Sequence, residues 1–258
     1  MTPAFLVLIG VFGLMVGSFL NVCISRIPAG QSVVSPRSRC PRCKKPIASY
    51  DNIPVFSYLL LRGRCRNCGL AISPVYPAVE VVTALAFLGQ ALHLGDHDLH
   101  LLVVRLIFTS MLIVLFGTDY QTMRLPNVIT YSGIVVGLAA STMLPPGLQS
   151  SVIGAALGAA VPWLIRWVWF KATKVDAMGL GDVKMLAMIG AFLGWQQVWV
   201  VLFLATLAGA LFGVTLLAIQ KRSFASKLPF GTFLAMAAYV ASIFGERLAQ
   251  WYVSLYIY

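Results

Sequence analysis

Two groups of residues in this chain are of the right type and spacing to do chemistry. The first is a pair of Cys-x-x-Cys turns, Cys40-Pro-Arg-Cys43 and Cys65-Arg-Asn-Cys68, each followed four positions on by an isoleucine, Ile47 and Ile72. A Cys-x-x-Cys turn aims two thiolates at one point, and two such turns complete a closed tetrahedral site of the kind that holds structural zinc. The competing reading of the same four residues is two disulfides. Cys23 stands apart in an apolar run and reads as a small buried core residue. The second group is acidic. Only eight Asp and Glu are present, and Asp51, Asp96, Asp98, Asp176 and Glu246 fall in loops or at ends where water can solvate them. Glu80, Asp119 and Asp182 instead fall in or against apolar stretches, where an ionisable group is costly and marks a functional candidate.

The elements that must position these residues are set by composition. Of 258 residues, 59% are hydrophobic and 10% are charged, against about 25% charged in a soluble domain, and the mean hydropathy is +0.87. So little charge cannot cover a soluble enzyme. The chain therefore reads as an all-α, polytopic membrane protein. About eight transmembrane helices are expected, near 4–24, 75–94, 101–118, 127–144, 150–170, 183–195, 197–219 and 231–254, since roughly 20 apolar residues cross a bilayer. The sixth is too short to cross unless the bilayer thins or the helix is buried among its neighbours. The first is read as a retained span rather than a signal peptide, because Met1–Gly10 carries no Lys or Arg and no small-residue cleavage site follows. The expected domains are residues 1–24, a first helix; 25–74, the cysteine loop; and 75–258, a seven-helix membrane domain.

The net charge of +11 would suggest nucleic acid in a soluble protein. Here the basic residues instead follow the spans. All Lys and Arg except Arg105 and Arg247 fall on one side: Arg26 and eight others in the cysteine loop, Arg124, then Arg166, Lys171, Lys174 and Lys184, then Lys221, Arg222 and Lys227. Basic loops stay cytoplasmic, so the cysteine loop is expected in the cytoplasm, both termini outside, Arg105 and Arg247 snorkelling from helix ends, and no nucleic-acid partner. A reducing compartment favours zinc over disulfides.

The same topology brings Asp119 and Asp182 together. Asp119 ends the third span, running inward, and Asp182 opens the sixth, running outward, so both are expected at the cytoplasmic boundary, and inverting the whole chain would move them together and keep them on one side. Two carboxylates sharing one proton in a partly dry site can take a proton from water and give one to a carbonyl, which is aspartic-protease chemistry. Gly179 and Gly181, in Gly179-Leu-Gly-Asp182, let the backbone leave helical geometry and let an extended peptide approach; the plainer reading is helix capping by Gly181 and Asp182. Glu80, one turn into the second span, pairs with a basic residue such as Arg26 or takes part in chemistry. A transporter would favour internal repeats with broken helices at the midplane, and none is visible. A metallopeptidase would need an open His site, but His93, His97 and His100 fall in an outer loop and no His-Glu-x-x-His occurs. A zinc-bearing scaffold without activity remains separable by assay.

These residues, taken in order, resemble the type IV prepilin peptidases, bifunctional leader peptidases and N-methyltransferases grouped with the GxGD intramembrane aspartic proteases. The resemblance runs through Gly17-Ser-Phe-Leu-Asn21 and Arg26-Ile-Pro28, the two Cys-x-x-Cys pairs, Tyr76-Pro-Ala-Val-Glu80, Asp119 with Leu125-Pro-Asn127, Gly179-Leu-Gly-Asp182-Val-Lys184 and Phe230-Gly231. Asn127 and Leu125 stand where the family often has aspartate and isoleucine. The resemblance implies a bacterial inner-membrane enzyme in which Asp119 and Asp182 cleave the basic leader of prepilins or pseudopilins after a glycine, supported by Gly179, Gly181 and Lys184. It also implies methylation of the new amino terminus, usually phenylalanine, from S-adenosylmethionine. The cysteine loop and Glu80 would go with that second activity, with Asn21 and Arg26 as further candidates, although no glycine-rich nucleotide loop is present.

Overall fold

The computed structural model describes residues 2–95, 98–175, 178–220 and 229–254. Asp96, His97, Asp176, Lys221, Arg222 and Lys227 lie outside the described residues. The chain divides into two compact units, Met1–Leu102 and Val103–Tyr258. Both are helical, and the described residues contain two isolated β-bridges besides helices and turns.

The first unit is built on two long helices, α1 (Pro3–Arg26) and α3 (Val75–Leu94), with a short helix, α2 (Phe56–Leu60), in the loop between them. Thr2 starts α1: its side chain accepts the Phe5 amide and Pro3 fills the first helical position, where the missing N–H costs nothing. The two long helices close tightly because α1 carries Gly13 and Gly17 one turn apart. A Cβ at Gly13 would sit 2.6 Å from the Ala84 Cα, and one at Gly17 would sit 2.7 Å from the Glu80 Cα. This is the small-residue spacing by which apolar helices pack without help from water. Phe12 and Phe87 meet across the same seam with their rings tilted by 38° and their centroids 6.0 Å apart.

The second unit contains α4 (Leu99–Thr122), α5 (Asn127–Ala140), α6 (Leu148–Thr173), α7 (Leu180–Leu193), α8 (Trp195–Gln220) and α9 (Phe230–Ser254); the first residues of α4 belong to the preceding unit. Helix α7 is its centre. Every residue from Met185 to Leu193 is buried, which is what an apolar helix without a polar face requires. Glycines admit the neighbours: a Cβ at Gly154 of α6 would collide with the Gly190 carbonyl of α7, and one at Gly158 with that of Leu186. Gly133 and Gly137 of α5 lie against Met188 and Ala191 in the same way.

Six helices, α1, α3, α4, α6, α8 and α9, are long and apolar enough to cross a membrane. The two remaining expected spans are 14 residues each, about 21 Å at 1.5 Å per residue. For α7 the shortness was expected, and burial among neighbours accounts for it. For α5 it was not. The helix stops at Ala140, and the chain turns through Ser141–Leu144 before Pro145-Pro146. Arg105 also departs from expectation. Its Nη1 is buried rather than snorkelling out, with the Glu246 charge within electrostatic reach.

Candidate functional site

The second unit brings Asp119, at the end of α4, and Asp182, at the start of α7, within reach of each other's charge. The Asp119 carboxyl, 5% exposed, is held by α9: its Oδ2 accepts the Thr232 amide at 3.0 Å and also takes the Gly231 amide. These are first-turn N–H groups with no partner inside their own helix. Gly231 is needed for the approach, because a Cβ there would lie 2.9 Å from Asp119 Oδ2 and 3.1 Å from Leu125 Cδ1. Leu125 also lies 3.0 Å from where a Cβ on Gly181 would be. The leucine is thus wedged between the glycine beside one aspartate and the glycine beside the other.

Asp182 is placed by its own helix. Gly179 is the N-cap of α7, and the Asp182 carboxylate turns back onto it and takes its amide, the half of a capping box that the third helical residue supplies. The helix start is therefore capped as the plainer reading expected, but with Gly179 rather than Gly181 at the cap, since Gly181 lies inside α7. Lys184 donates to Asn127 Oδ1 at 2.9 Å and lies 5.1 Å from the centre of the Tyr131 ring, so it ties α7 to α5 rather than touching either aspartate.

In the first unit the four cysteines meet. Cys40, Cys43, Cys65 and Cys68 place their sulfurs within 4.8 Å of one another, and the Cys40 and Cys68 sulfurs are 3.6 Å apart, far beyond a disulfide bond and close to the edge of about 3.8 Å of a tetrahedron with 2.3 Å metal–sulfur bonds. All four are free thiols. They form a group that can hold a metal. The two halves are the same turn twice: Lys44 and Gly69 donate to the Cys40 and Cys65 carbonyls, Cys40 and Cys65 donate to the Lys45 and Leu70 carbonyls, and bridges Arg39–Pro46 and Arg64–Ala71 close each. Lys44 and Gly69 share a positive φ, 58° and 69°. The Cys43 amide, with the Arg42 amide after it, outweighs burial and brings the Cys40 thiol down to about 6. Cys68, although the Leu70 amide favours its thiolate, is pushed up to about 11 by burial and the neighbouring sulfurs. So crowded a set of thiols is well matched to a cation that takes all four as thiolates.

Glu80, 8% exposed, does not pair with Arg26. Its Oε2 accepts the Val55 amide at 2.7 Å, and the Ser18 hydroxyl donates to it as well. Arg26 donates to the Ser32 carbonyl at 3.0 Å, and Asn21 to the Tyr76 carbonyl at 3.0 Å. The reason is local: a carboxylate packed against Gly17 on the α1/α3 seam is met by a hydroxyl from α1 and by a backbone amide from the loop ahead of α2.

Comparison with known proteins agrees with this division. Residues 11–94 match the bacterial peptidase A24 N-terminal domain, and residues 106–214 match the type IV leader peptidase family. A prepilin leader peptidase/N-methyltransferase of Aeromonas salmonicida is 36% identical over 96% of this chain and 93% of its own length. The chain belongs to the type IV leader peptidase family. Proteins of the same description from Myxococcus xanthus, 41% identical over 86% of this chain and 66% of that protein, and from Pseudomonas aeruginosa, 33% identical over 97% and 94%, are also similar. No solved structure matches it. This is an enzyme family, and the member described here is a multi-pass membrane protein.

Several residues of this type IV leader peptidase that frame the two sites carry no signal of their own in the sequence. Thr232 contributes a backbone amide, which no side-chain pattern announces, and it lies 113 positions from Asp119. Leu125 acts by shape. Val55 reaches Glu80 from 25 positions away. Gly231 and Leu125 are exceptions as positions, since Phe230-Gly231 and Leu125-Pro-Asn127 were visible as motifs, although their contacts were not.

Proposed function

We propose that this protein cleaves the leader peptide of type IV prepilins or pseudopilins at the cytoplasmic face of the bacterial inner membrane, and then methylates the new amino terminus from S-adenosylmethionine. The observation that carries the peptidase half is the meeting of Asp119 and Asp182 from two helices far apart in sequence, one carboxyl held by the α9 amides and the other by Gly179. In this reading one carboxylate takes a proton from water as its oxygen attacks the scissile carbonyl carbon, while the other carboxyl gives its proton to the carbonyl oxygen. Collapse of the intermediate breaks the C–N bond, and the amine leaves with a proton. Gly179 and Gly181 support the site by admitting the Asp182 carboxylate and the Leu125 side chain at close range, and Lys184 supports it by fixing α7 on α5.

Methyl transfer needs a deprotonated amine and a methyl donor, and releases S-adenosylhomocysteine and a proton. We place it with the first unit, where Glu80, Asn21 and Arg26 are the candidates and Cys40, Cys43, Cys65 and Cys68 hold zinc. Zinc there supplies a cross-link, because four thiolates leave no open position for chemistry. The basic-residue pattern supports a cytoplasmic loop with both termini outside.

Asp119→Asn and Asp182→Asn test the dyad. Each is nearly isosteric and each is expected to lower leader cleavage by about 10³-fold while methylation of a precleaved pilin continues. Cleavage near the wild-type rate in either variant removes that aspartate from the mechanism.

A further inference from the structure

One turn in the first unit is strained, and its strain has an address. Val55 has φ 58° and ψ −49°, and the Phe56 amide donates across it to the Pro54 carbonyl at 2.5 Å, which is a γ-turn of the rare positive-φ kind. A β-branched residue in that region is an outlier that persists only where its surroundings over-determine it. What holds it is buried: the Val55 N–H, turned inward by this geometry, ends on Glu80 Oε2 at 2.7 Å. Glu80 is fixed in turn by the Ser18 hydroxyl and by the close approach of α1 at Gly17.

Followed the other way, the same turn leads to the metal centre without a break. Ser57, buried, accepts the Ile53 amide at 3.1 Å and donates to the Tyr50 carbonyl at 2.9 Å. Beside Tyr50, Asp51 takes Arg66 by two nitrogens, Nε at 2.9 Å and Nη2 at 2.6 Å. This fork, together with the Coulomb attraction it carries, holds the Asp51 carboxyl below the usual carboxylate range. Arg66 also lies over the Tyr50 ring at 5.6 Å, and it stands between Cys65 and Cys68.

We propose that Glu80 is a positioning residue: through the Val55 amide it latches the segment 49–60, and with it the four-cysteine centre, onto the α1/α3 pair. The metal orders one end of this segment and Glu80 orders the other. Without Glu80 the strained turn at Val55 loses its buried acceptor, and without the metal the far end of the segment keeps only the Asp51–Arg66 fork. This latch does not depend on the peptidase or methyltransferase assignments; it adds a structural link between the metal and a buried carboxylate in the unit to which methyl transfer has been assigned.

The test uses the full-length, zinc-loaded protein in detergent and two readouts other than activity: the rate of zinc release to a chromogenic chelator, and hydrogen exchange of the amides of residues 53–57. Glu80→Ala is expected to speed zinc release about tenfold or more, the effect of losing a hydrogen bond to a charged group, and to remove the protection of those amides. Glu80→Gln keeps an acceptor oxygen and is expected to stay within about threefold of wild type. Val55→Gly, which keeps the N–H and removes the strain, is expected to release zinc no faster than wild type. Zinc release at the wild-type rate from Glu80→Ala, or equally fast release from the Gln and Ala variants, overturns the latch. Should Glu80→Ala not fold, the wild-type protein decides: chelation of its zinc is expected to expose the amides of 53–57, and unchanged protection overturns the proposal.

Discussion

The four-cysteine loop and the α6/α7 helix pair meet the same difficulty, the entropy of ordering a chain, with opposite materials. Around α7 apolar surface is abundant and the limiting quantity is distance, so glycines at 154, 158 and 190 bring backbones into contact and dispersion does the rest. In the loop apolar surface is scarce. There one turn is used twice, around Cys40 and around Cys65, with hydrogen bonds at matching positions and four sulfurs that a single ion can join. A region that cannot bury enough needs covalent-strength cross-links; one that can needs only to approach closely. The two units therefore should fail under different insults.

The sharpest way to separate them is to remove the metal ligands. Cys40→Ser with Cys43→Ser is expected to take zinc from about one per chain to none by elemental analysis, to disorder the loop, and to lower methylation by about 100-fold or more, given that structural zinc contributes on the order of 10 kcal/mol to such loops. Leader cleavage is expected to fall far less, because the α4, α7 and α9 contacts around Asp119 and Asp182 contain no cysteine. Equal loss of both activities would erase the contrast.

The converse substitution is Gly231→Ala. Its methyl group meets Asp119 Oδ2 and Leu125, and a displacement of about 1 Å at a catalytic group lowers rates by about 100-fold. Cleavage is expected to drop on that scale with zinc content unchanged. Next in size is Gly190→Val. Overpacking against Gly154 is expected to cost about 1–3 kcal/mol, read as a lower temperature of thermal inactivation of cleavage while the loop keeps its metal. The smallest effect has the opposite sign. Lys44 occupies the positive-φ position that Gly69 fills in the second half, so Lys44→Gly is expected to stabilise the loop by about 0.5–1 kcal/mol, seen as slower zinc loss to a competing chelator.

The metal group and the meeting of Asp119 with Asp182 were both legible in the sequence, and for the same reason: each depends on periodicity. Two Cys-x-x-Cys-x-x-x-Ile halves announce a repeated turn, and counting apolar spans places two aspartates at one boundary. What stayed hidden depends on backbone groups and on shape. The amides of Gly231 and Thr232 that hold Asp119, the amide of Val55 on Glu80 and the leucine between Gly181 and Gly231 are defined only once distant segments are packed. The expected partner of Glu80, Arg26, was a matching of charges. The chain used neutral donors instead, which satisfy a buried carboxylate without bringing a second charge out of water. Helix α5 came out shorter than its apolar run because hydropathy does not register where a helix gives way to successive turns, as it does at Ser141–Leu144.

The all-round burial of α7 has a consequence for how the protein is made. A segment of 14 residues, with Asp182 and Lys184 near its start, is a poor candidate for leaving the insertion machinery into lipid alone, since about 21 Å of helix falls short of a bilayer core about 30 Å thick. It becomes resident by docking between segments made before and after it. The carboxyl at its start therefore meets a fully supported Asp119 only after α9, the final helix, has been synthesised and has delivered its amides. The order of synthesis thus brings the two carboxyls together, with the amides that hold Asp119, only late in the making of the described chain.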